Sequence, residues 1–354
     1  MSNVSIQTIP KELQHHILSL LSIKERLRLS ETCHGLKDVV RDPILWKKLV
    51  LSYERIKNKT KACREHVERC SRLQELCITE PEETIRSDKI MSVVMKAKAT
   101  LTSLSVADFA LNNISFKKIS QITQLSKLEI SVTEIKCGGI TSLVNLSELK
   151  SLKIDGFFER YNTVDSFTLN LKDLADFFSR FKKLEQVVIG ECALNDEVVE
   201  SLVVNSPYLR HLDINCYFAT HDTMGSSLNI IGDKCPQLTH IGLTNLYVYQ
   251  LQNDDVDITQ LISKCTKLKS ANFEGTQIKD SALARLACCS ELESLNLSFS
   301  DTITKQGIES FLYKTAKGKF KCLEIKCCGF LYDGDYEQNS QKLKKDYPNT
   351  IITC

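Results

Sequence analysis

The chain has 354 residues, 42% hydrophobic and 25% charged, a composition that sets aside disordered and collagen-like classes. Lys and Arg number 46 against 44 Asp and Glu, so the net charge of +2 gives no general reason to expect a nucleic-acid partner. The longest stretch free of charge and histidine is the 13 residues Ile241–Asn253, short of the roughly 18 apolar residues of a membrane span, and no membrane partner is expected. The start, MSNVSIQTIPKEL, has no basic segment ahead of an apolar run, so no secretory signal is expected. The 15 cysteines are odd in number and sparse, and they read as reduced thiols of a cytoplasmic or nuclear protein. Residues 1–70 carry 14 Lys/Arg and 8 Asp/Glu, whereas residues 71–354 carry 32 and 36, a shift that places a boundary near residue 70.

The first elements are helical. Pro10 suits the first turn of a helix, and Leu13, Ile17, Leu18, Leu20 and Leu21 follow at helical spacing. Ser22 and Glu25 form a capping-box pair that starts a second helix carrying Leu27 and Leu29. Leu36, Val39, Val40, Leu45, Trp46 and Leu49 supply a third apolar set. Some 40 residues with this many apolar groups make a poor core alone, so the module is expected to complete its burial against a partner. Residues 51–69 read as a linker helix region, with Lys57, Lys59, Lys61 and Arg64 on a solvated face rather than a nuclear signal or nucleic-acid patch.

From Leu73 onward the pattern L-x-x-L-x-L recurs ten times: LQELCI, LTSLSV, LSKLEI, LKSLKI, LEQVVI, LRHLDI, LTHIGL, LKSANF, LESLNL and FKCLEI. The fourth positions, Leu76 to Leu323, recur at a mean of about 27 residues, the period of leucine-rich repeats, in which each unit gives a short strand and a returning helix. The stretches SDKIMSVVMKA, NDEVVESLVV, KDSALARLA and KQGIESFLYKTA place apolar residues at helical spacing between the strands. The fold class expected is α/β: an N-terminal helical module, then a curved solenoid with strands on the concave face and helices on the convex face. Ile351 and Ile352 in LKKDYPNTIITC are expected to add one last capping strand.

Cysteines follow the same register. Cys70, Ser206, Cys235, Cys265 and Cys289 stand three residues before an opening Leu, and Cys192, Thr276, Ser300 and Cys328 stand three after the last apolar strand position. Even spacing argues for packing, since a metal site clusters its ligands once. His15-His16 reads as a solvated helix face, Cys322 with Cys327-Cys328 lacks a second ligand pair, and Asp333-Gly334-Asp335 with Glu337 lacks the glycine of a calcium loop and reads as a turn. Neither a Gly-rich phosphate loop nor a G-x-S-x-G elbow occurs, so neither catalysis, metal nor cofactor is expected.

Residues 9–49 resemble an F-box: Ile9-Pro10 stands for the initial Leu-Pro, followed by Glu12, Leu13, Ile17, Leu18, Leu21, Leu27, Cys33 and Trp46-Lys47. With the repeats behind it, the whole chain resembles an F-box and leucine-rich-repeat protein of the cysteine-containing repeat subfamily. Ile9, His34 and Leu36 depart from that pattern, where Leu, Arg and Trp are usual. The expected domains are the F-box at 6–50, the linker helix region at 51–69, and about ten repeats with a cap at 70–354. The resemblance implies a non-catalytic adaptor, the substrate-recognition subunit of a cullin–RING ubiquitin ligase. Ile9, Pro10, Leu13, Ile17, Leu18, Leu21 and Trp46 would then bind a Skp-type linker protein, through which cullin and RING protein are reached, and the repeats would hold a protein substrate. The alternative is a repeat scaffold or inhibitor that uses the N-terminal helices only as a cap.

Strand side chains alternate, so with Leu212 and Ile214 inward, His211, Asp213 and Asn215 face the other side. The same offset exposes Ser151, Lys153, Asp155, Gln186, Val188, His240, Thr244, Asn272 and Glu274. Phe158, Phe218 and Tyr247 occupy one position after the strands, and Tyr161 lies in the longest inter-repeat interval; these four rings are candidates for an aromatic rim. The substrate surface expected is therefore Phe158, Tyr161, His211, Asp213, Phe218, His240, Tyr247 and Glu274.

Overall fold

The computed structural model describes residues 8–21, 23–32, 34–79, 88–107, 111–131, 140–155, 171–190, 194–215, 225–245, 255–316, 318–332 and 336–354. The chain divides into two compact units, Met1–Phe109 and Ala110–Cys354.

The first unit opens with three helices, α1 (Lys11–Ser19), α2 (Ile23–Ser30) and α3 (His34–Val40), and a short turn of 3₁₀ helix, Pro43–Trp46. Pro10 sits just ahead of α1 with extended backbone, where its missing N–H costs nothing. Leu18, Leu36, Val40, Leu45 and Trp46 are buried together. Trp46 donates its indole N–H to the Val40 carbonyl at 2.6 Å and packs edge-on against His66, ring centroids 5.0 Å apart. Arg26 fans its guanidinium over three carbonyls, those of Ser19, Leu21 and Leu45, at 2.9, 2.9 and 2.7 Å. It thereby satisfies carbonyls at the end of α1 that have no helical partner.

The boundary expected at residue 50 falls inside a strand. β1 (Lys48–Ser52) runs directly into α4 (Tyr53–Arg69), which breaks helical geometry at Lys59. β1 pairs in parallel with β2 (Glu75–Thr79), Leu49 opposite Leu76, and β2 pairs with β3 (Ser103–Val106) beyond α5 (Asp88–Val94). The reason is legible: Trp46-x-x-Leu49-x-Leu51 is the repeat pattern with Trp in place of the opening Leu. The indole fills the volume that an opening Leu fills elsewhere.

The second unit repeats one motif. Strands β4 (Lys127–Ser131), β5 (Ser151–Asp155), β6 (Gln186–Ile189), β7 (His211–Asn215), β8 (His240–Thr244), β9 (Ser270–Asn272), β10 (Ser294–Asn296), β11 (Cys322–Glu324) and β12 (Ile351–Thr353) pair in parallel, each with its sequence neighbour. β12 is the strand anticipated from Ile351 and Ile352. Between the strands lie α6 (Asn113–Ile119), α7 (Leu171–Ser179), α8 (Asp196–Asn205), α9 (Gly225–Lys234), α10 (Asp255–Lys264), α11 (Asp280–Leu286), α12 (Lys305–Thr315) and α13 (Tyr336–Asp346). Successive helices from α7 to α12 pack side by side, a second layer against the sheet. Asn112, Asn195 and Thr304 cap α6, α8 and α12 by accepting backbone N–H groups.

In each of the ten repeats the opening, fourth and sixth positions are buried. After the last four long strand segments the chain turns through a left-handed residue at one register position: Asn245 (φ 56°), Gly275 (φ 65°), Phe299 (φ 60°) and Cys327 (φ 54°). The turn seats the next residue inside. Thr276 there donates to the Leu243 carbonyl at 2.6 Å and Cys328 to the Leu297 carbonyl at 3.1 Å, each reaching the preceding repeat. The other cysteine register is buried too, and Cys265 donates to the Cys235 carbonyl at 3.7 Å. Burial pushes the Cys235 and Cys265 thiols up to about 12 and Cys289 to about 11. All described cysteines are free thiols.

Candidate functional site

Helix α1 divides its apolar residues between two faces. At roughly 100° per residue, Ile17 and Leu20 lie within about 40° of Leu13, whereas Leu18 lies about 140° away. Leu13, Ile17 and Leu20 are 53%, 38% and 75% exposed; Leu18 is 0% exposed. Leu18 therefore packs the module's own interior and is not available to a partner, a correction to the expected docking set. The stripe includes Leu20 instead, which the same periodicity could have supplied. Of the other candidates, Pro10 is exposed, Ile9 and Leu21 are half-buried, and Trp46 is core. Ile9 lines a depression of about 420 Å³ between α1 and α3, where His15 pairs with Asp42 at 3.2 Å. That pairing departs from the expected solvated His15. Lys57, Lys59, Lys61 and Arg64 lie on an exposed face of α4.

The open face of the second unit carries the other candidates. His211 and His240 occupy facing register positions on β7 and β8, and their rings stack at 5.0 Å with planes 19° apart. Burial, and then the neighbouring imidazole, lower the His211 pKa; burial and Lys269 lower that of His240. Two residues on, Asp213 faces Val188 of β6 on one side and Gly242 of β8 on the other. Glu274, after β9, accepts the Asn296 amide at 3.0 Å. Thr244, expected on the open face, is buried. Phe158, Tyr161, Phe218 and Tyr247 lie outside the described residues.

Between β5 and β9 this face sinks into a polar depression of about 240 Å³. Two glycines make room for it. A Cβ added at Gly242 would sit 2.7 Å from the Asp213 carboxyl carbon, and one at Gly190 would sit 2.7 Å from that of Asp155. Each carboxylate thus leans over a neighbouring strand that offers no side chain. Burial, above all, and the nearby Asp155 raise the Asp213 pKa, and Lys153 lowers it. Asn215 accepts the Asn245 amide at 3.0 Å along the rim. Alternation indicated which residues face outward; nothing in the pattern marked Gly190 and Gly242 as the positions that open a space.

Residues 6–52 match the F-box-like family. The N-terminal module is an F-box-like domain. Its exposed α1 stripe is the part of that F-box with apolar surface left over after folding. The strands and helices behind the F-box are leucine-rich repeats, in agreement with the ten-fold sequence pattern and the parallel pairing. Among solved structures, a chain in the crystal structure of the Rad7 and Elc1 complex in yeast is similar over 97% of this chain and 88% of that one, with 18% identity and a TM-score of 0.62. That likeness extends through both the F-box and the repeats and shows a shared fold. An internalin from Listeria monocytogenes matches 74% of this chain and 64% of its own, with 16% identity and a TM-score of 0.44.

Proposed function

We propose that this chain is the substrate-recognition subunit of a cullin–RING ubiquitin ligase. The F-box binds a Skp-type linker protein, the linker reaches cullin and RING protein, and the leucine-rich repeats hold a protein substrate. The observation that carries the reading is the F-box match over residues 6–52 together with the stripe Leu13, Ile17 and Leu20 left exposed on α1. Three large aliphatic groups on one face of a short helix are what a partner helix bundle covers. The similarly folded chain in the Rad7 and Elc1 structure is itself part of a two-protein complex, which supports the same reading. The chain acts by placement: holding a substrate near a charged ubiquitin carrier raises effective concentration without chemistry of its own. Its compartment is the cytoplasm or nucleus, where the buried thiols stay reduced.

The test is co-purification with a Skp-type linker protein. Burying a Leu or Ile is worth roughly 1.5–3 kcal/mol. The triple variant Leu13→Ala, Ile17→Ala, Leu20→Ala should therefore lose at least about a hundredfold in affinity at an unchanged melting temperature. Equal recovery of linker with the variant and the unaltered chain would reject the assigned docking face. No complex with the unaltered chain would reject the ligase role in favour of a repeat scaffold or inhibitor.

A further inference from the structure

We infer that the depression on β5–β9 seats a lysine or arginine side chain of a partner protein, held between Asp155 and Asp213. The inference rests on the substrate-receptor reading, because it names the chemistry that the repeats recognise. Its first support is shape. An open sheet face is ordinarily filled by alternating side chains, yet here Gly190 and Gly242 withdraw theirs beside the two carboxylates, and a cavity of about 240 Å³ results. Its second support is charge. Asp155, Asp213 and Glu274 face the single ammonium of Lys153, and neither Asp155 nor Asp213 forms an ion pair with a described residue. Glu274 is held by Asn296, so the two aspartates are the groups free to take a cation.

The electrostatics agree. Asp213 is held above the ordinary carboxylate range by burial and by Asp155, so a cation placed between them relieves both penalties at once. The cation that suits the site brings its own N–H donors. Among the described residues no three His, Cys, Asp or Glu side chains converge to hold a metal ion. Two carboxylates one strand apart from each other's neighbour, with the Asn215 and Asn245 amides at the rim, suit a side chain that donates several hydrogen bonds in different directions. The site thus points to a substrate segment presenting a basic residue.

The experiment uses the full-length chain with carbon-labelled aspartate carboxyl groups, titrated with N-acetyl-arginine amide and with N-acetyl-lysine amide. N-acetyl-citrulline amide is the neutral control, and magnesium and calcium chloride are titrated separately. Saturable shifts of the Asp155 and Asp213 resonances with a basic probe, and none with citrulline, are expected. Asp213→Asn should weaken that response, read at Asp155, by about tenfold or more. Gly242→Ala keeps every charge but displaces the Asp213 carboxylate, and should weaken it comparably; this variant keeps the test decisive if the charge change alters folding. No saturable shift with either basic probe, an equal response to citrulline, or undiminished binding by both variants would overturn the inference. Saturation by magnesium or calcium alone would overturn it in favour of a metal ion. Linker recovery, which depends on the F-box, should be unchanged in both variants. If the unaltered chain binds arginine amide but no linker, the basic-side-chain site stands and the ligase reading fails.

Discussion

Leu18 and Leu20 stand two residues apart on one helix and do opposite work. Leu18→Ala deletes a fully buried side chain and should cost about 2–5 kcal/mol of folding stability, whereas Leu20→Ala should leave the denaturant midpoint near that of the unaltered chain. A urea melt of the two variants checks this, and equal midpoints would show that α1 does not bury the face assigned to it. Arg26 is the residue that sequence reading passed over. Its three carbonyl partners come from α1's end and the 3₁₀ turn, so Arg26→Lys, which keeps the charge but cannot fan, should cost about 1–3 kcal/mol. Asp213 carries a cost of its own. Its folded pKa is raised, so the folded state binds the proton more readily, and stability falls as pH rises from 3.8 through the folded value. At neutral pH that cost is fully present, and Asp213→Asn should raise the melting temperature. A lower one would mean that the carboxylate holds the strand face together.

At the scale of elements, β1 shows how the F-box ends and the repeats begin. Trp46 closes the helical module and opens the first repeat, so the two share one side chain rather than a linker. Trp46→Ala should cost about 3–5 kcal/mol, lost as packing against His66 and as the bond to the Val40 carbonyl. The paired strands β7 and β8 carry a pH response. His211 faces His240 and the Gln186 position of β6, and His240 faces Lys269 and Glu293; both imidazoles have lowered pKa values. The unfolded chain then binds protons more readily, so this contribution is complete above about 6.5 and is lost as pH falls through that value toward the folded ones. Replacing both by Gln should flatten the acid side of the melting-temperature profile. A profile parallel to that of the unaltered chain would show that the pair does not titrate on unfolding.

Across the whole molecule the thiols behave as one system. They are buried in register and donate to carbonyls of the preceding repeat, so they act as small packing groups that also satisfy backbone. Thiol labelling at neutral pH should modify exposed Cys288 quickly and Cys235, Cys265 and Cys289 only in denaturant, since about 11 to 12 leaves almost no thiolate. Fast native labelling of Cys265 would refute the packing role. Each strand of a repeat array is stabilised by its neighbours, and β12 is joined to the array through β11. Amide exchange should therefore be faster at Ile351–Thr353 than at His211–Asn215, which has paired strands on both sides.

The repeat period, the buried opening, fourth and sixth positions, the cysteine register and the outward alternation of His211 and Asp213 were all legible in the sequence, because each follows from a local rule applied at a fixed spacing. Ten copies of that rule outvote any single irregular position. The tertiary structure alone decided which side of α1 is inside, since Leu13 and Leu18 are equally apolar and only α3 and the Pro43–Trp46 turn determine which of them is covered. It alone brought Asp155 and Asp213, 58 positions apart, to one depression. The space there exists because Gly190 and Gly242 lie beside those carboxylates across neighbouring strands, and a missing side chain acquires meaning only from what stands next to it.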